Sequence, residues 1–553
     1  MAVTNKTSET LMKKRRFRGK VDVSNNKDIR YLLNVMTGKQ KRLFYVLVLF
    51  WFLNLFIMLE WWIDINHVVD WFRFCLNSVL LFYVFTLPGY MFFFIAQMKR
   101  VNPDIEIPEN WRVAMITTRA PTEPFSLVKI TLEAMLKQKF PHDTWLADED
   151  PNDEIIEWCK MKGVFLSCRK GIPEYHRQEW PRRTKCKEGN LAYFYDHYGY
   201  SDYDFVSQLD SDHVPSVDYL EAMLRPFVNS KIGYVSAPSI CDFNARQSWA
   251  ARGRLFAESM LHGPLQAGYS GGFAPLCIGS HYAVRTRALK EIGGLGPELA
   301  EDHSTTLMMN GHGWRGIHAN DAIASGEGPQ TIADCITQEF QWSRSLMVVL
   351  LTEMPKYYRK LPPKILFQFL FSELWYPLFG VLMLFGHLLP IIAVFSHKPW
   401  VAVSYLDYIT YSIPISFSIL AIVWFIKKNG WMRPYYSPVV SWEMILFTII
   451  RWPWALYGSI MGVVTVLTKK QVNFKVTPKG VMARPSMKWS ILCPYMAIIL
   501  ISFLPGIIVK DAGDANGYYL FLIMNILIYT IVLFSIIIIH KNESVKQSTK
   551  ESK

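Results

Sequence analysis

Two aspartates at the end of an apolar segment are the residues of this sequence best suited to chemistry. Asp210 and Asp212 follow Phe205–Leu209, which has the composition of a buried strand. Two carboxylates at this spacing can hold one divalent metal ion and, through it, a diphosphate, because hard cations prefer oxygen ligands. Asp and Ser are also common in turns that end strands. The place directly after an apolar strand favours a metal site, with Mg²⁺ or Mn²⁺ as its ion.

Asp148 ends another apolar segment, Thr144–Ala147. Its carboxylate is expected to contribute to ligand binding at the same end of the domain. The residues after it suit the start of a helix, since Asp and Asn side chains cap helix N-termini well. Capping is therefore predicted for Asp150 and Asn152, and ligand binding for Asp148.

Strand-like and helix-like segments alternate between residues 112 and 227, which predicts an α/β domain with a mostly parallel sheet. The predicted strands are Arg112–Thr117, Thr144–Ala147, Val164–Ser167 and Phe205–Leu209, and the predicted helices are Phe125–Gln138, Ile155–Lys162, Gly189–His197 and Val217–Phe227. Ligands of such sheets bind beyond the carboxyl ends of the strands. Asp148 and Asp210 both fall at such ends.

Six apolar blocks are long enough to cross a membrane. They are Leu43–Ile63, Phe74–Ala96, Leu374–Phe395, Tyr408–Ile426, Trp489–Val509 and Tyr518–Ile539. The basic run Lys13-Lys14-Arg15-Arg16 indicates a cytosolic N-terminus by the positive-inside rule. Two spans then return the chain to the cytosol, so the soluble region that follows them is expected to be cytosolic.

A seventh apolar run, Met444–Leu467, lies between two basic loops and would place one of them outside if it crossed the membrane. It contains Arg451 and Pro453, and Trp residues flank its centre. Trp favours the membrane interface, and a charged side chain near the bilayer centre is costly. The run is therefore predicted to be an interfacial or re-entrant helix.

Four motifs follow one another along the chain in a recognisable order. The acidic pair around Asp210 comes first, then Glu301-Asp302, then the Gln/Trp box 338–342, and last the basic loop Phe474–Gly480 between apolar segments. This order resembles that of a processive family 2 glycosyltransferase of the cellulose synthase type. The resemblance implies an α/β GT-A-like cytosolic catalytic domain inserted in an α-helical transmembrane domain with about six spans plus interfacial helices.

The domain boundaries follow from the apolar blocks and the resemblance. We expect a basic cytosolic segment 1–42, two transmembrane helices in 43–96, a cytosolic glycosyltransferase domain 97–363, a transmembrane channel region 364–540 with an interfacial helix 444–467 and a gating loop 469–488, and a polar cytosolic tail 541–553.

The resemblance also assigns roles to individual residues. Asp302, next to Glu301, would be the general base, since an attacking sugar hydroxyl must lose a proton. An N-cap role is the other interpretation of Asp302. The donor-binding residues would be Asp148, Lys187, Asp210, Arg344, Thr477 and Lys479, the acceptor-binding residues Trp342, Gln338, Gly279 and Ser280, and the metal ligands Asp210 and Asp212.

The function implied is a hexosyltransferase of the plasma (inner) membrane that polymerises a β-linked polysaccharide from a UDP-sugar and translocates it. UDP-glucose and a β-glucan are favoured because the Phe-x-Val-Thr-x-Lys-Gly loop is usual in cellulose-type synthases. Gln341 stands where the box usually has arginine, which leaves two alternatives open: a non-processive enzyme that makes a glycolipid or short glycan, and a synthase of the hyaluronan or chitin type. A transporter with a cytosolic regulatory domain would not explain the acidic motifs.

Charge and cysteine content restrict the partners. The formal net charge is +13, and the bases flank the apolar blocks, so the expected partners are the lipid bilayer, the UDP-sugar and the growing polysaccharide, with no nucleic acid. An accessory export or periplasmic subunit is left open. The eight cysteines show no paired spacing, so neither disulfides nor a zinc site are expected.

Overall fold

The computed structural model describes residues 30–184, 186–469 and 487–551, with side chains up to residue 543. The strands are β1 Leu32–Asn34, β2 Lys99–Val101, β3 Val113–Arg119, β4 Asp143–Asp148, β5 Phe165–Ser167, β6 Phe205–Leu209, β7 Val214–Pro215, β8 Ile232–Ser236, β9 Ser239–Ile240, β10 His281–Arg285, β11 Arg315–His318 and β12 Ala324–Ser325.

The helices belong to two groups, those of the α/β domain and the long apolar ones. They are α1 Gly38–Trp62, α2 Trp71–Ile95, α3 Phe125–Met135, α4 Asp153–Lys162, α5 Lys187–Phe194, α6 Tyr200–Asp202, α7 Tyr219–Leu224, α8 Trp249–Ala257, α9 Gln266–Tyr269, α10 Thr286–Glu291, α11 Glu301–Gly311, α12 Ile332–Thr352, α13 Met354–Tyr357, α14 Pro363–Ser396, α15 Tyr405–Lys428, α16 Trp442–Thr468, α17 Trp489–Ile508 and α18 Tyr518–Glu551.

The central sheet has seven strands in the order β11-β8-β10-β6-β3-β4-β5. β10 runs antiparallel to both of its neighbours, and the other adjacent strands pair in parallel. The chain moves outward from β3 to β5 and then returns to β6 on the other side of β3, which opens a crevice at the carboxyl ends of β3 and β6. The predicted mostly parallel α/β sheet of the GT-A type is confirmed.

Apolar side chains cover both faces of this sheet, as its composition requires. β6 is buried at all five of its positions. On one face Val128 and Leu132 of α3 join Val113 and Met115 of β3 in one core cluster. On the other face Ala114 and Ile116 of β3 contact a second cluster, which includes residues of α5 and α11. The sheet is therefore rigid, and the loops at its carboxyl edge are fixed to it.

The chain enters helix α1 and leaves helix α2 on the same side of this helix pair. β1, just before α1, pairs antiparallel with β2, just after α2, in the register Leu32↔Val101. The two ends of the α1–α2 pair are thus held together by backbone hydrogen bonds. This agrees with the expectation that two spans bring the chain back to the side from which it started.

Seven helices of the described residues are long and apolar enough to cross a membrane: α1, α2, α14, α15, α16, α17 and α18. These helices indicate a multi-pass membrane protein. α16 is the least apolar of these helices, with a mean hydropathy of 1.3, against 1.9 to 2.8 for the others. By length and composition it qualifies as a span, so its interfacial placement stays a prediction.

α16 packs closely along α12, the helix that carries the Gln/Trp box. A Cβ atom on Gly458 would overlap Ser343 Oγ and lie 2.5 Å from the backbone oxygen of Phe340. Two turns of α16 before this contact, Arg451 Nε donates to Glu339 Oε2 at 2.8 Å, and the Glu339 side chain is fully buried. Small residues and one buried ion pair therefore fix α16 on the α/β domain.

Replacing Gly458 with alanine is expected to destabilise the protein, because the added methyl group has no space between α16 and α12. Overpacking of this kind costs about 1–3 kcal/mol. The apparent unfolding temperature in detergent should fall for Gly458→Ala. Gly386→Ala is the control, since a Cβ on Gly386 of α14 meets nothing within 4 Å. Equal unfolding temperatures for the two variants would contradict this packing.

Candidate active site

Asp148 lies at the carboxyl end of β4, buried beneath Arg119. The Arg119 Nη1 atom donates to both Asp148 carboxylate oxygens, at 3.0 and 3.1 Å, and the backbone N–H of Asp150 donates to Oδ1 at 2.9 Å. Burial raises the pKa of Asp148, and these donors act against that rise. Arg119 was not predicted as a site residue; it ends β3, the strand beside β4.

The two predicted caps behave differently. Asn152 caps α4, with its Oδ1 accepting from the Ile155 backbone N–H at 3.0 Å. Capping by Asp150 is wrong: its half-exposed carboxylate pairs with Lys170 Nζ at 2.5 Å. Asp150 lies two residues before the N-cap position, which Asn152 occupies, and is too far from the free N–H groups of the first turn.

Asp210, Asp212 and His213 form a cluster directly after β6. One ligand atom from each lies within 4.8 Å of the others. The Asp212 carboxylate accepts from the Glu327 backbone N–H at 3.0 Å and lies 3.3 Å from His213 Nδ1. Burial alone would lower the pKa of His213, but the adjacent Asp212 outweighs it and raises this pKa to about 10. The donor set fits one divalent cation, and His213 joins the two predicted ligands.

Lys187 connects this cluster to the second acidic pair. Its Nζ donates to Asp210 Oδ1 at 2.6 Å and to the Gly279 backbone oxygen at 2.6 Å. The Gly279 N–H in turn hydrogen-bonds to the Asp302 carboxylate. Asp210, Lys187, Gly279 and Asp302, from four separate stretches of sequence, thus form one continuous chain of contacts.

Glu301 and Asp302 open helix α11. The N-cap position belongs to Ala300, so the alternative of an N-cap role for Asp302 is wrong. Glu301 is buried and Asp302 is partly exposed. Burial raises the pKa of both carboxyl groups, and the neighbouring Asp302 adds to the rise of the Glu301 pKa. For Glu301, Asp210 raises the pKa further and Lys187 lowers it, which places the pair beside the metal cluster.

Ser280 is part of the framework of this site. Its backbone oxygen accepts from the Asp210 N–H at 2.7 Å, which joins the end of β6 to the start of β10. Its hydroxyl donates to Ser239 Oγ at 3.0 Å. The contacts of Ser280 fix the loop that carries Gly279, while its acceptor-binding role stays a prediction.

The Gln/Trp box on α12 is bound by an arginine from another helix. Arg254 of α8 donates from Nη1 to Gln338 Oε1 at 2.8 Å, and its guanidinium carbon lies 4.1 Å from the Trp342 ring centroid. Glu258 balances this charge, with an Arg254 Nε–Glu258 Oε2 distance of 3.2 Å. Arg254 precedes Gln338 by 84 residues, so no local pattern in the sequence indicates this contact.

Arg344 is buried further along α12. Its Nη2 pairs with Glu298 Oε2 at 3.3 Å, and burial lowers its pKa. Its predicted role toward a diphosphate stays a prediction. Thr477 and Lys479, with most of the loop predicted at 469–488, lie outside the described residues.

Comparison with known proteins identifies the type of this site. The fold and the site define a multi-pass membrane protein with a GT-A-type α/β domain. The family described as "Glycosyl transferase family group 2" matches residues 205–427, which begin at β6 and include both acidic pairs and the Gln/Trp box. This match supports the predicted family 2 glycosyltransferase domain over residues 205–427.

Similar curated proteins are catalytic subunits of bacterial cellulose synthases. The chain is 24% identical over 383 residues to "Cellulose synthase 1 catalytic subunit [UDP-forming]" of Komagataeibacter xylinus, covering 68% of this chain and 48% of that protein. It is 23% identical over 432 residues to the "Cellulose synthase catalytic subunit [UDP-forming]" of Pseudomonas fluorescens, covering 74% and 54%. The chain spans about half the length of these relatives. The predicted resemblance to cellulose synthase-type enzymes is confirmed.

A solved structure also aligns with most of the chain. It is the mannosyltransferase PcManGT of Pyrobaculum calidifontis in complex with GDP-Man and Mn²⁺, with a TM-score of 0.42 and 14% identity. The alignment covers 71% of this chain and 96% of that one.

The raised pKa values of Glu301 and Asp302 predict how stability depends on pH. A carboxyl group whose pKa is higher in the folded state binds its proton more tightly there. Its contribution to the free energy of unfolding therefore falls as pH rises from about 4 through the raised pKa. Asp302→Asn removes one of the two facing charges. Its apparent unfolding temperature should exceed that of the wild type at pH 8, and its pH dependence should be flatter.

The control for this measurement is Asp150→Asn, which removes a half-exposed carboxylate of the same domain. It should not raise the unfolding temperature at pH 8, because it removes an attractive contact with Lys170 and no repulsion. An Asp302→Asn protein that is less stable than the wild type at pH 8 would mean that the acidic pair is not under repulsion.

Proposed function

We propose that this protein is a membrane-embedded, inverting hexosyltransferase that polymerises a β-linked polysaccharide from a UDP-sugar and passes it across the plasma membrane. UDP-glucose is the proposed donor and a β-glucan the proposed product. The observation that carries the proposal is the chain of contacts from Asp210 through Lys187 and Gly279 to Asp302. This chain of contacts connects the cluster at Asp210, which suits a metal ion and its bound diphosphate, with the Asp302 carboxylate, which can accept a proton.

The leaving group is proposed to sit on the metal cluster. Asp210, Asp212 and His213 would hold Mg²⁺ or Mn²⁺, which neutralises the charge of a departing diphosphate when bound. Lys187 adds a cation beside Asp210. Asp148, with Arg119 across it, would hold the nucleotide part of the donor from the next strand. Thr477, Lys479 and Arg344 are further proposed donor-binding residues.

Asp302 is proposed as the general base. The acceptor hydroxyl oxygen forms a bond to the anomeric carbon, the bond from that carbon to the β-phosphate oxygen breaks, and the hydroxyl proton passes to Asp302. Attack opposite the leaving group converts an α-linked donor into a β-linked product. Asp302 suits this step better than Glu301 because it is partly exposed whereas Glu301 is buried. The raised pKa that burial gives Asp302 makes it a stronger base.

The acceptor is proposed to lie against Trp342 and Gln338. Arg254 covers one face of the Trp342 ring, which leaves the opposite face for the apolar face of a sugar. α12 continues from this box and packs against α14 and α16. A product that leaves the box is thus next to the apolar helices, which supports translocation through them and a catalytic domain on the cytosolic side.

A non-processive transferase that makes a glycolipid or short glycan is the second candidate. Gln341 favours it, because this side chain carries no charge and is buried in α12 rather than turned toward an acceptor. A hyaluronan- or chitin-type synthase differs from the proposal only in the sugar that it uses.

Substitutions in the two acidic pairs separate their roles. Asp302→Asn should lower transfer by about 10²- to 10⁴-fold, the usual contribution of a general base, while UDP binding persists. Asp212→Asn should lose both transfer and metal-dependent UDP binding. Transfer from labelled UDP-glucose and UDP binding with and without Mn²⁺ are the two measurements.

Asp218→Asn is the matched control, since Asp218 is exposed and pairs with Lys139 at the surface, away from the acidic pairs. It should keep full activity. Loss of UDP binding in Asp302→Asn, or full transfer by Asp212→Asn in the presence of EDTA, would refute these assignments.

Arg254→Gln tests the arrangement of the acceptor site. Without the guanidinium, Trp342 loses the contact that fixes its ring, so the KM for an added acceptor oligosaccharide should rise several-fold and products should become shorter. The KM for the donor should stay the same. Arg254→Lys keeps the charge without the planar contact. Its acceptor KM and product length should lie between those of the wild type and those of Arg254→Gln.

Arg252→Gln is the control, because Arg252 lies on the same helix but pairs with Glu443 instead. Equal effects of Arg252→Gln and Arg254→Gln on product length would mean that α8 acts only as a structural element.

A further inference from the structure

An aromatic pocket lies where α2 and α14 meet the α/β domain. It has a volume of about 500 Å³ and is lined by Tyr90, Phe93, Phe94, Phe273, Lys364 and Phe367. Five of these six residues are aromatic, and the sixth is a lysine. The pocket belongs neither to the metal cluster nor to the Gln/Trp box.

The position of the pocket is at one face of the membrane. Tyr90, Phe93 and Phe94 are in the last two turns of α2, and Lys364 and Phe367 are in the first two turns of α14. Both helices are apolar enough to cross a membrane. The chain passes into the α/β domain just beyond these ends, so the pocket opens at the level where lipid headgroups meet the hydrocarbon layer.

The walls of the pocket are preformed. The Tyr90 ring stacks on Phe371 with centroids 3.8 Å apart, and the Tyr90 hydroxyl lies 3.0 Å from that of Tyr269. Phe94 packs edge-on against Phe273 with a centroid distance of 4.7 Å. Phe93 and Phe367 are more than half exposed, so they face whatever surrounds the helices. In a bilayer that surrounding is lipid.

The cation at this pocket, Lys364, has no counter-ion among the described side chains. Lys364 Nζ lies 5.1 Å from the Phe273 ring centroid, and none of the described carboxylates is within 4.0 Å of it. Arg359 and Lys360, just before α14, likewise lie over the rings of Tyr358 and Tyr357. These three positive charges therefore face the membrane surface without an acidic partner among the described side chains.

We propose that this pocket binds an anionic phospholipid of the leaflet next to the α/β domain. An acyl chain of the lipid lies against Phe93, Phe273 and Phe367, and its phosphate accepts from Lys364. Basic pockets between membrane helices on the cytoplasmic side are known to suit such headgroups, whereas a zwitterionic lipid brings its own cation to the lysine. The proposal does not depend on the transfer reaction.

The site is also joined to the catalytic loop. Phe273 is followed by Ala274, whose backbone N–H donates to Gln368 Oε1 at 3.0 Å and whose backbone oxygen accepts from Gln368 Nε2 at 2.6 Å. Gln368 is the neighbour of Phe367 in α14, and the segment after Ala274 leads to Gly279. An occupied pocket would thus hold the end of α14 and the start of this loop in place.

Lipid binding to the delipidated full-length chain in detergent tests the proposal. Native mass spectrometry measures the fraction of protein with one bound lipid. The titration uses phosphatidylglycerol or phosphatidylcholine with the same acyl chains. The wild type should retain phosphatidylglycerol several-fold more tightly. Lys364→Gln should weaken phosphatidylglycerol binding by about fivefold, which corresponds to about 1 kcal/mol per basic residue. Lys364→Arg should leave this binding unchanged.

Two further variants complete the test. Lys398→Gln, at the other end of α14, should behave as the wild type. Phe273→Ala should weaken both lipids. Equal retention of the two lipids by the wild type would overturn the proposal. Undiminished phosphatidylglycerol binding by Lys364→Gln would also overturn it.

Discussion

Repulsion between carboxylates at one edge of the sheet is the constraint on which this structure depends. Asp210, Glu301 and Asp302 meet in a largely buried space, where like charges are costly. Lys187 is the cation that holds them together, through direct contacts with Asp210 and the backbone of Gly279. Burial raises the pKa of both carboxyl groups of the acidic pair, and repulsion from Asp302 and Asp210 adds to the rise for Glu301. The cost to stability and the basicity needed for proton transfer therefore both follow from burying these carboxylates. A bound divalent ion would add positive charge at this edge.

Several buried contacts fix the apolar helices to this site, and two of them involve ionisable side chains beside the acidic pair or the Gln/Trp box. α16 is attached to α12 by small residues and by the Arg451–Glu339 ion pair. His303, the residue after Asp302, has its Nε2 atom 3.4 Å from Glu373 Oε1 in α14. Charged groups are buried here next to helices that suit a membrane, where an unpaired charge is expensive. The pairs therefore restrict how the membrane helices can move relative to the acidic site.

The sequence predicted what depends on local pattern. The strands β3, β4 and β6 and the helices between them follow from apolar runs, and Asp148 and Asp210 follow from their places at the ends of strands. Asp302 follows from the resemblance and the order of the motifs. The antiparallel direction of β10 could not be read, because it depends on pairing with β6 and β8. Arg119 and Arg254 were missed for the same reason: their partners lie 29 and 84 residues away. His213 could have been found, since it directly follows Asp212.

The most direct measurement of the central claim is the product made by the purified full-length chain in lipid nanodiscs. It is incubated with radiolabelled UDP-glucose and Mg²⁺ or Mn²⁺, and the product is sized before and after digestion with a β-glucanase. A β-glucan synthase makes a metal-dependent product of high mass that the β-glucanase degrades to short sugars. A label that appears only in a lipid carrying one or a few sugars, or no transfer from UDP-glucose with either metal, would contradict the proposed function.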